Sequence, residues 1–341
     1  MRTCFSLLGK ASALCFLLML LCRCSSDGYT LNVHFDDLDT GTVYLLKYTD
    51  RTYELVDSLN LKGGDGKLSG FLDHPALYGL SSSKATSKPL VFFMENAPMK
   101  VSVNESGKTI LVTGSKEDAL YREAQAAYEK DALDIRSFIL SNPSSQVGPY
   151  MVMRNFAWSL DSGGLQGLLS ALSNDLTGTL YVDQMLDLLS RKLMVEVGQM
   201  APDFTLEDTS GNKVSLSDFK GKYVILDFWA SWCPDCRREC PFIVEAAQNL
   251  SSKGVEVLCV SLDRNAQDWK AGIEKLGLGS FTHVGDMKEW NSPVVSLYAL
   301  RWIPTTFLIS PEGRILEVST DENGFLEDVS KVFGLSLQPS E

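Results

Sequence analysis

The sequence predicts an α/β domain over residues 197–341, an antiparallel β-sandwich-like domain over 25–114, and a helical connecting region over 115–196. Three observations predict this order. Short segments between residues 29 and 113 alternate apolar and polar side chains and are separated by Asp-, Gly- and Pro-containing turns. Leucines then recur at helical spacing. From Pro202 onward, near-continuous apolar runs are each followed by a helical stretch, the pattern of a largely parallel sheet. The 341 residues also exceed the roughly 250–300 at which a single core stops growing.

The composition excludes several classes. With 45% hydrophobic and 22% charged residues the chain is globular rather than disordered. Its net charge of −12 excludes nucleic acid, or an anionic membrane surface, as the main partner, because both select clustered positive charge. Three histidines are too few for a His-rich metal enzyme.

At the N-terminus, Arg2 and Lys10 accompany the apolar run Ala11–Cys22 of 12 residues. That is too short for a bilayer span of about 20 residues but suits a signal-peptide core. Residues 1–24 are therefore expected to direct export. Cys22 and Cys24 compete for the role of a lipidated cysteine, as in a bacterial lipoprotein signal, although Leu21 and Arg23 stand where a small residue is usual. One lipid would tether the protein to a membrane surface without spanning it.

In the β-rich part, Tyr29, Leu31, Val33 and Phe35 alternate with Thr30, Asn32 and His34. Further strands are expected at Thr42–Lys47, Leu55–Leu61, Lys67–Leu72, Leu90–Met94, Met99–Val103 and Thr109–Thr113, with a turn at Gly63-Gly64-Asp65-Gly66. Leu165, Leu168, Leu169 and Leu172, then Val182, Met185, Leu186, Leu189 and Leu193, mark two helices. Asn142-Pro143 and Gly163-Gly164 are expected to break the helical region. Beyond it, strands at Tyr223–Trp229 and Val255–Ser261 precede helices near 233–251 and 266–276. A hairpin around Pro311-Glu312-Gly313 and a last helix at 324–333 complete the chain.

The chemistry lies in the cysteines. Four fall within the first 24 residues, and Cys233, Cys236, Cys240 and Cys259 fall in the C-terminal third, so they do not staple a small scaffold. Cys233-Pro234-Asp235-Cys236 stands at a strand-to-helix junction. A thiol at a helix N-terminus meets unpaired N–H groups and the positive end of the helix dipole, which stabilise the thiolate that attacks disulfides. Pro234 near the first helical position loses no hydrogen bond. Cys233 is therefore assigned as nucleophile and Cys236, one turn inward, as resolving cysteine.

Four motifs in order resemble the TlpA/ResA-like thiol–disulfide oxidoreductases of the bacterial envelope, which have the thioredoxin fold. They are Ala201-Pro202-Asp203-Phe204, Leu216–Lys222, Phe228–Pro241, and Trp302–Ile309 with Gly313. The β-rich part resembles a domain fused before such domains in Bacteroidetes lipoproteins. The resemblance implies that Pro304 is a cis-proline facing the disulfide and that the Ile303 backbone pairs with an extended substrate segment. It implies that Asp227 is a buried acid able to take the proton from Cys236, and that Trp232 is a platform beside the disulfide.

Asp235, between the cysteines, is expected to oppose the thiolate at Cys233 and favour reductase over oxidase action, with Arg237 as a partial offset. Cys240 is expected to be a small apolar core residue, with a third redox thiol as the alternative. The expected function is an envelope protein-disulfide reductase whose only redox group is the Cys233–Cys236 pair, without metal or other cofactor. Its substrates would be protein disulfides, and it would be recharged by a membrane electron donor. A peroxiredoxin-like peroxidase, a surface binding module with a vestigial redox domain, and a zinc site using Cys233, Cys236, Cys240 and His283 are the competing readings.

Overall fold

The computed structural model describes residues 28–86, 88–104, 109–320 and 322–334. The segment expected to direct export, with Cys22 and Cys24, lies outside the described residues. The chain divides between Leu133 and Asp134 into two units.

In the first unit, eight strands form one sheet in the order β6-β5-β2-β3-β4-β1-β7-β8. They are β1 (Tyr29–Phe35), β2 (Thr40–Tyr48), β3 (Tyr53–Lys62), β4 (Asp65–Gly70), β5 (Ala76–Ser81), β6 (Leu90–Met94), β7 (Pro98–Val103) and β8 (Ile110–Thr113). Adjacent pairs are antiparallel except β1 and β7, which run parallel. The alternation in β1 is realised: Tyr29, Leu31 and Val33 are buried, and Asn32 is exposed. Gly63 and Gly64, at φ 59° and 80°, make the two-residue turn from β3 to β4, a geometry closed to most side chains. β5 is not signalled by its sequence, because Pro75 and Gly79 read as breakers. Gly79 is needed there: a Cβ would stand 2.6 Å from Pro89. Helix α1 (Lys116–Tyr128) is capped by Ser115 and held to β6 by the buried Asp118, which accepts the Phe93 N–H at 2.9 Å. α1 thus belongs to the first unit, and the rest of the helical stretch belongs to the second.

The second unit begins with α2 (Ile135–Ser141), α3 (Val147–Met151), α4 (Ser162–Leu169) and α5 (Leu180–Met194). Gly163-Gly164 does not separate helices but forms the first turn of α4, where Asp161 accepts the Gly164 N–H at 2.7 Å. The capping carboxylate offsets the poor helix propensity of the two glycines.

There follow β9 (Thr205–Asp208), β10 (Lys213–Ser215), β11 (Tyr223–Trp229), α6 (Pro234–Leu250), β12 (Val255–Ser261), α7 (Ala266–Lys275) and β13 (Thr282–Gly285). α8 (Pro293–Leu297), β14 (Thr305–Ile309), β15 (Ile315–Ser319) and α9 (Glu322–Phe333) complete the unit. The sheet order is β10-β9-β13-β12-β11-β14-β15. β11, β12 and β13 are parallel, and β14 and β15 are antiparallel additions. Val224, Ile225, Leu226, Phe228 and Trp229 of β11 are all buried, as a central strand covered on both faces requires. Cys236, Cys240, Ile243, Ala246 and Leu250 give α6 one buried face.

Candidate active site

The last residues of β11 lead through Ala230-Ser231-Trp232 into α6. Cys233 is the N-cap of that helix, with extended backbone (φ −80°, ψ 117°), and its Sγ accepts the Cys236 N–H at 3.1 Å. Pro234 fills the first helical position, where no N–H is needed. Cys233 and Cys236 are joined as a disulfide with their Cα atoms 5.4 Å apart, and both are buried.

Facing them is the turn into β14. The Ile303–Pro304 peptide bond is cis, and the Ile303 carbonyl oxygen lies 3.5 Å from Cys233 Sγ. Pro304 and Ile303 are buried, whereas Trp232 is 42% exposed and donates from Nε1 to the Leu262 carbonyl at 3.3 Å. The structure thus gathers Cys233, Cys236, Ile303 and Pro304 at one helix mouth, with Trp232 at the edge.

Asp227 lies deeper, on β11, flanked by Cys259 of β12 and Thr306 of β14. Burial pushes its carboxyl up to about 7, while the Thr306 and Cys259 side chains pull the other way, and its Oδ1 has no hydrogen-bond partner. Burial, reinforced by Asp227 and Glu239, raises the Cys240 thiol. Burial and the charge of Asp227 raise the Cys259 thiol as well. Neither forms a thiolate at neutral pH, which favours the apolar-core reading of Cys240.

Two acids escaped sequence reasoning. Glu239 is buried one turn after Cys236, and its Oε1 accepts from the Thr306 hydroxyl at 3.4 Å. The available signal was a charged residue on the apolar face of an amphipathic helix. Asp263 is fully buried behind the active-site loop. It accepts the Ser231 N–H (3.2 and 3.1 Å), the Ser231 hydroxyl (2.6 Å) and the Ser261 hydroxyl (2.7 Å). Each hydrogen bond to a charged group contributes about 1.5–3 kcal/mol. Asp263→Ala is therefore expected to lower stability by at least about 2 kcal/mol in urea unfolding. An unchanged midpoint would show that the clamp is dispensable.

Asp235 is paired by Arg238, while the Arg237 guanidinium donates to the Ser231 carbonyl at 3.1 Å. The i,i+3 spacing brings Arg238 over the same helix face as Asp235, which the adjacent-but-one Arg237 cannot reach. His283 Nε2 lies 2.8 Å from the Leu278 carbonyl oxygen, and burial lowers the imidazole pKa. Among the described residues no group of three or more His, Cys, Asp or Glu side chains is arranged to hold a metal ion.

Residues 197–318 match the AhpC/TSA family, and residues 29–121 match a domain of unknown function, DUF4369. The thiol–disulfide oxidoreductase ResA of Bacillus subtilis (strain 168) is 35% identical over 129 residues, which are 38% of this chain and 70% of that protein. ResA of Geobacillus kaustophilus (strain HTA426) is 37% identical over 131 residues, 38% of this chain and 73% of that protein. Among solved structures, the thioredoxin domain of a thiol–disulfide oxidoreductase from Bacteroides vulgatus is 35% identical. It covers 40% of this chain and 97% of its own, with a TM-score of 0.38.

Proposed function

The chain belongs to the ResA/TlpA-like thiol–disulfide oxidoreductases, and on that premise we propose that it reduces protein disulfides through the pair Cys233 and Cys236. The observation that carries this reading is the disulfide itself, capping α6 and facing a cis-proline.

In the reduced protein the Cys233 thiolate attacks one sulfur of a substrate disulfide, and the other substrate sulfur departs as a thiolate. The Cys236 N–H that points at Cys233 Sγ, with the N-terminus of α6, stabilises the attacking charge. Cys236 then gives up its proton, with Asp227 as the acceptor, and attacks Cys233 Sγ. The second substrate thiolate leaves and the Cys233–Cys236 disulfide of this structure results. Two electrons have passed to the substrate. Ile303 offers its backbone to the extended substrate segment, Pro304 lies against the sulfurs without an N–H, and Trp232 borders the approach.

Asp235, in the first turn of α6, favours the reducing direction: its charge disfavours a thiolate on Cys233, and a less stable thiolate makes the disulfide less oxidising. Arg238 tempers it.

A reductase spends its thiols on each turnover, so a membrane electron donor must restore them. We place the protein outside the cytoplasm, in the cell envelope, tethered through Cys22 or Cys24. Among the described residues no helix is long and apolar enough to cross a membrane.

The test offers pre-reduced protein a protein disulfide and, separately, hydrogen peroxide. Loss of one substrate disulfide per oxidised chain is expected, with the peroxide reaction much slower. Faster reaction with peroxide would favour a peroxidase, and no reaction with either would favour a binding module.

A further inference from the structure

Beside the cis-proline lies a cavity of about 490 Å³ within the second unit. One wall is the turn from α8 to β14, including Leu300, Arg301 and Trp302. The other comes from the helical stretch before β9, including Trp158 and Lys192. Two links fix the walls together. The Arg301 Nη2 donates to the Met153 carbonyl at 3.0 Å, and the Trp158 and Trp302 rings approach to 5.6 Å between centroids. Trp158 is held from its own side by Nε1 donating to the Asn155 carbonyl at 2.9 Å. Each indole still keeps 42% of its surface exposed.

We propose that this cavity is a substrate subsite that takes a large apolar side chain lying close to the substrate's reactive cysteine. The proposal rests on the reductase reading above and gives the helical stretch a task within it. Continuity is the first reason. Trp302 and Thr305 line the cavity and flank Ile303-Pro304, whose carbonyl touches Cys233. A polypeptide extended along Ile303 turns alternate side chains to opposite faces, so a neighbour of its cysteine reaches the cavity.

The lining chemistry is the second reason. Lys192 and Arg301 are matched in number by Asp161 and Glu196, so charge does not select the occupant. Asp161 is engaged as the α4 cap, and Glu196 accepts from the Ser162 hydroxyl. The two partly exposed indoles remain as the selecting surface, and aromatic faces gain most by covering apolar groups. The volume lies in the range of cavities that bury a ligand.

The test uses two peptide disulfides that are identical except for Phe or Ser beside the cysteine. Wild-type protein is expected to reduce the Phe peptide with a kcat/KM about tenfold higher, the yield of burying one aromatic side chain. Trp158→Ala, outside the reacting groups, is expected to remove that preference through KM. Its rate on the Ser peptide and its reduction potential should stay unchanged. Trp158→Phe should restore part of the preference. Equal wild-type rates on both peptides, or a preference that survives Trp158→Ala, would overturn the subsite while leaving the reductase reading intact. If those equal rates came with a dimer that Trp158→Ala dissociates, the cavity would belong to a second copy. Failure to reduce either peptide would overturn both readings.

Discussion

Replacing Cys233 with serine is expected to abolish disulfide reduction, whereas Cys236→Ser is expected to stop the reaction halfway. An alcohol has no accessible anion at neutral pH and forms no bond to a substrate sulfur, so Cys233→Ser leaves no first step. Its kcat/KM should fall by at least about 10³-fold, the scale lost when a covalent nucleophile is removed. Cys236→Ser keeps the helix N-terminus and its N–H directed at Cys233 Sγ, so the first attack survives. Without the resolving thiol, the mixed disulfide on Cys233 accumulates and is released only by added small thiols. Gel mobility without reductant, followed by peptide mass mapping, separates the two outcomes. Equal loss in both variants with no mixed disulfide would contradict the division of roles.

The second large effect concerns Asp227. Its folded-state pKa is raised to about 7 from an ordinary 3.8, chiefly because burial strips water from the charged form. A raised acid pKa destabilises the folded state in a definite window. Below about pH 4 both states hold the proton and nothing is lost. Between about 4 and 7 the unfolded chain ionises while the folded one cannot, so stability falls as pH rises, at up to about 1.4 kcal/mol per unit. Asp227→Asn, which cannot ionise, should melt higher than wild type at pH 8 and nearly equal to it at pH 3.5. Catalysis should move oppositely. The rate at which Cys236 resolves the mixed disulfide should rise through pH 7 in wild type. At pH 8, Asp227→Asn should lower it by about 10²-fold or more and erase that inflection. A melting temperature shifted equally at every pH would deny the buried charge. A stable variant with an unaltered profile would make Asp227 structural only.

Much of the site was legible because its chemistry is local in sequence. An apolar strand running into Cys-x-x-Cys, with proline after the first cysteine, dictates a thiol at a helix mouth without knowledge of the fold. Pro304 is far away in sequence, and only the resemblance of Trp302–Ile309 connected it to the cysteines. What stayed hidden depends on long-range packing. Glu239 stands out only as a charge on the apolar face of α6, because its partner, the Thr306 hydroxyl of β14, is 67 positions away in sequence. Asp263 follows a strand and looks like a turn residue, yet it binds the loop that presents Cys233. The short strands β9, β10 and β13 carry no clear signal in the sequence, since three or four residues hold too little periodicity to separate them from loops. The cavity beside Trp302 needs Trp158, 144 positions earlier by residue number, and no pattern in either segment announces the other.

Equilibration of the intact protein with a series of glutathione buffers, followed by counting free thiols at Cys233 and Cys236, is the most direct test of the central claim. A single two-electron transition is expected at a potential below about −200 mV, toward the thioredoxin range. A pair that stays oxidised or stays reduced across the whole series would contradict a cycling centre. A midpoint near −120 mV, that of a strong oxidant, would contradict the reducing direction assigned to Asp235.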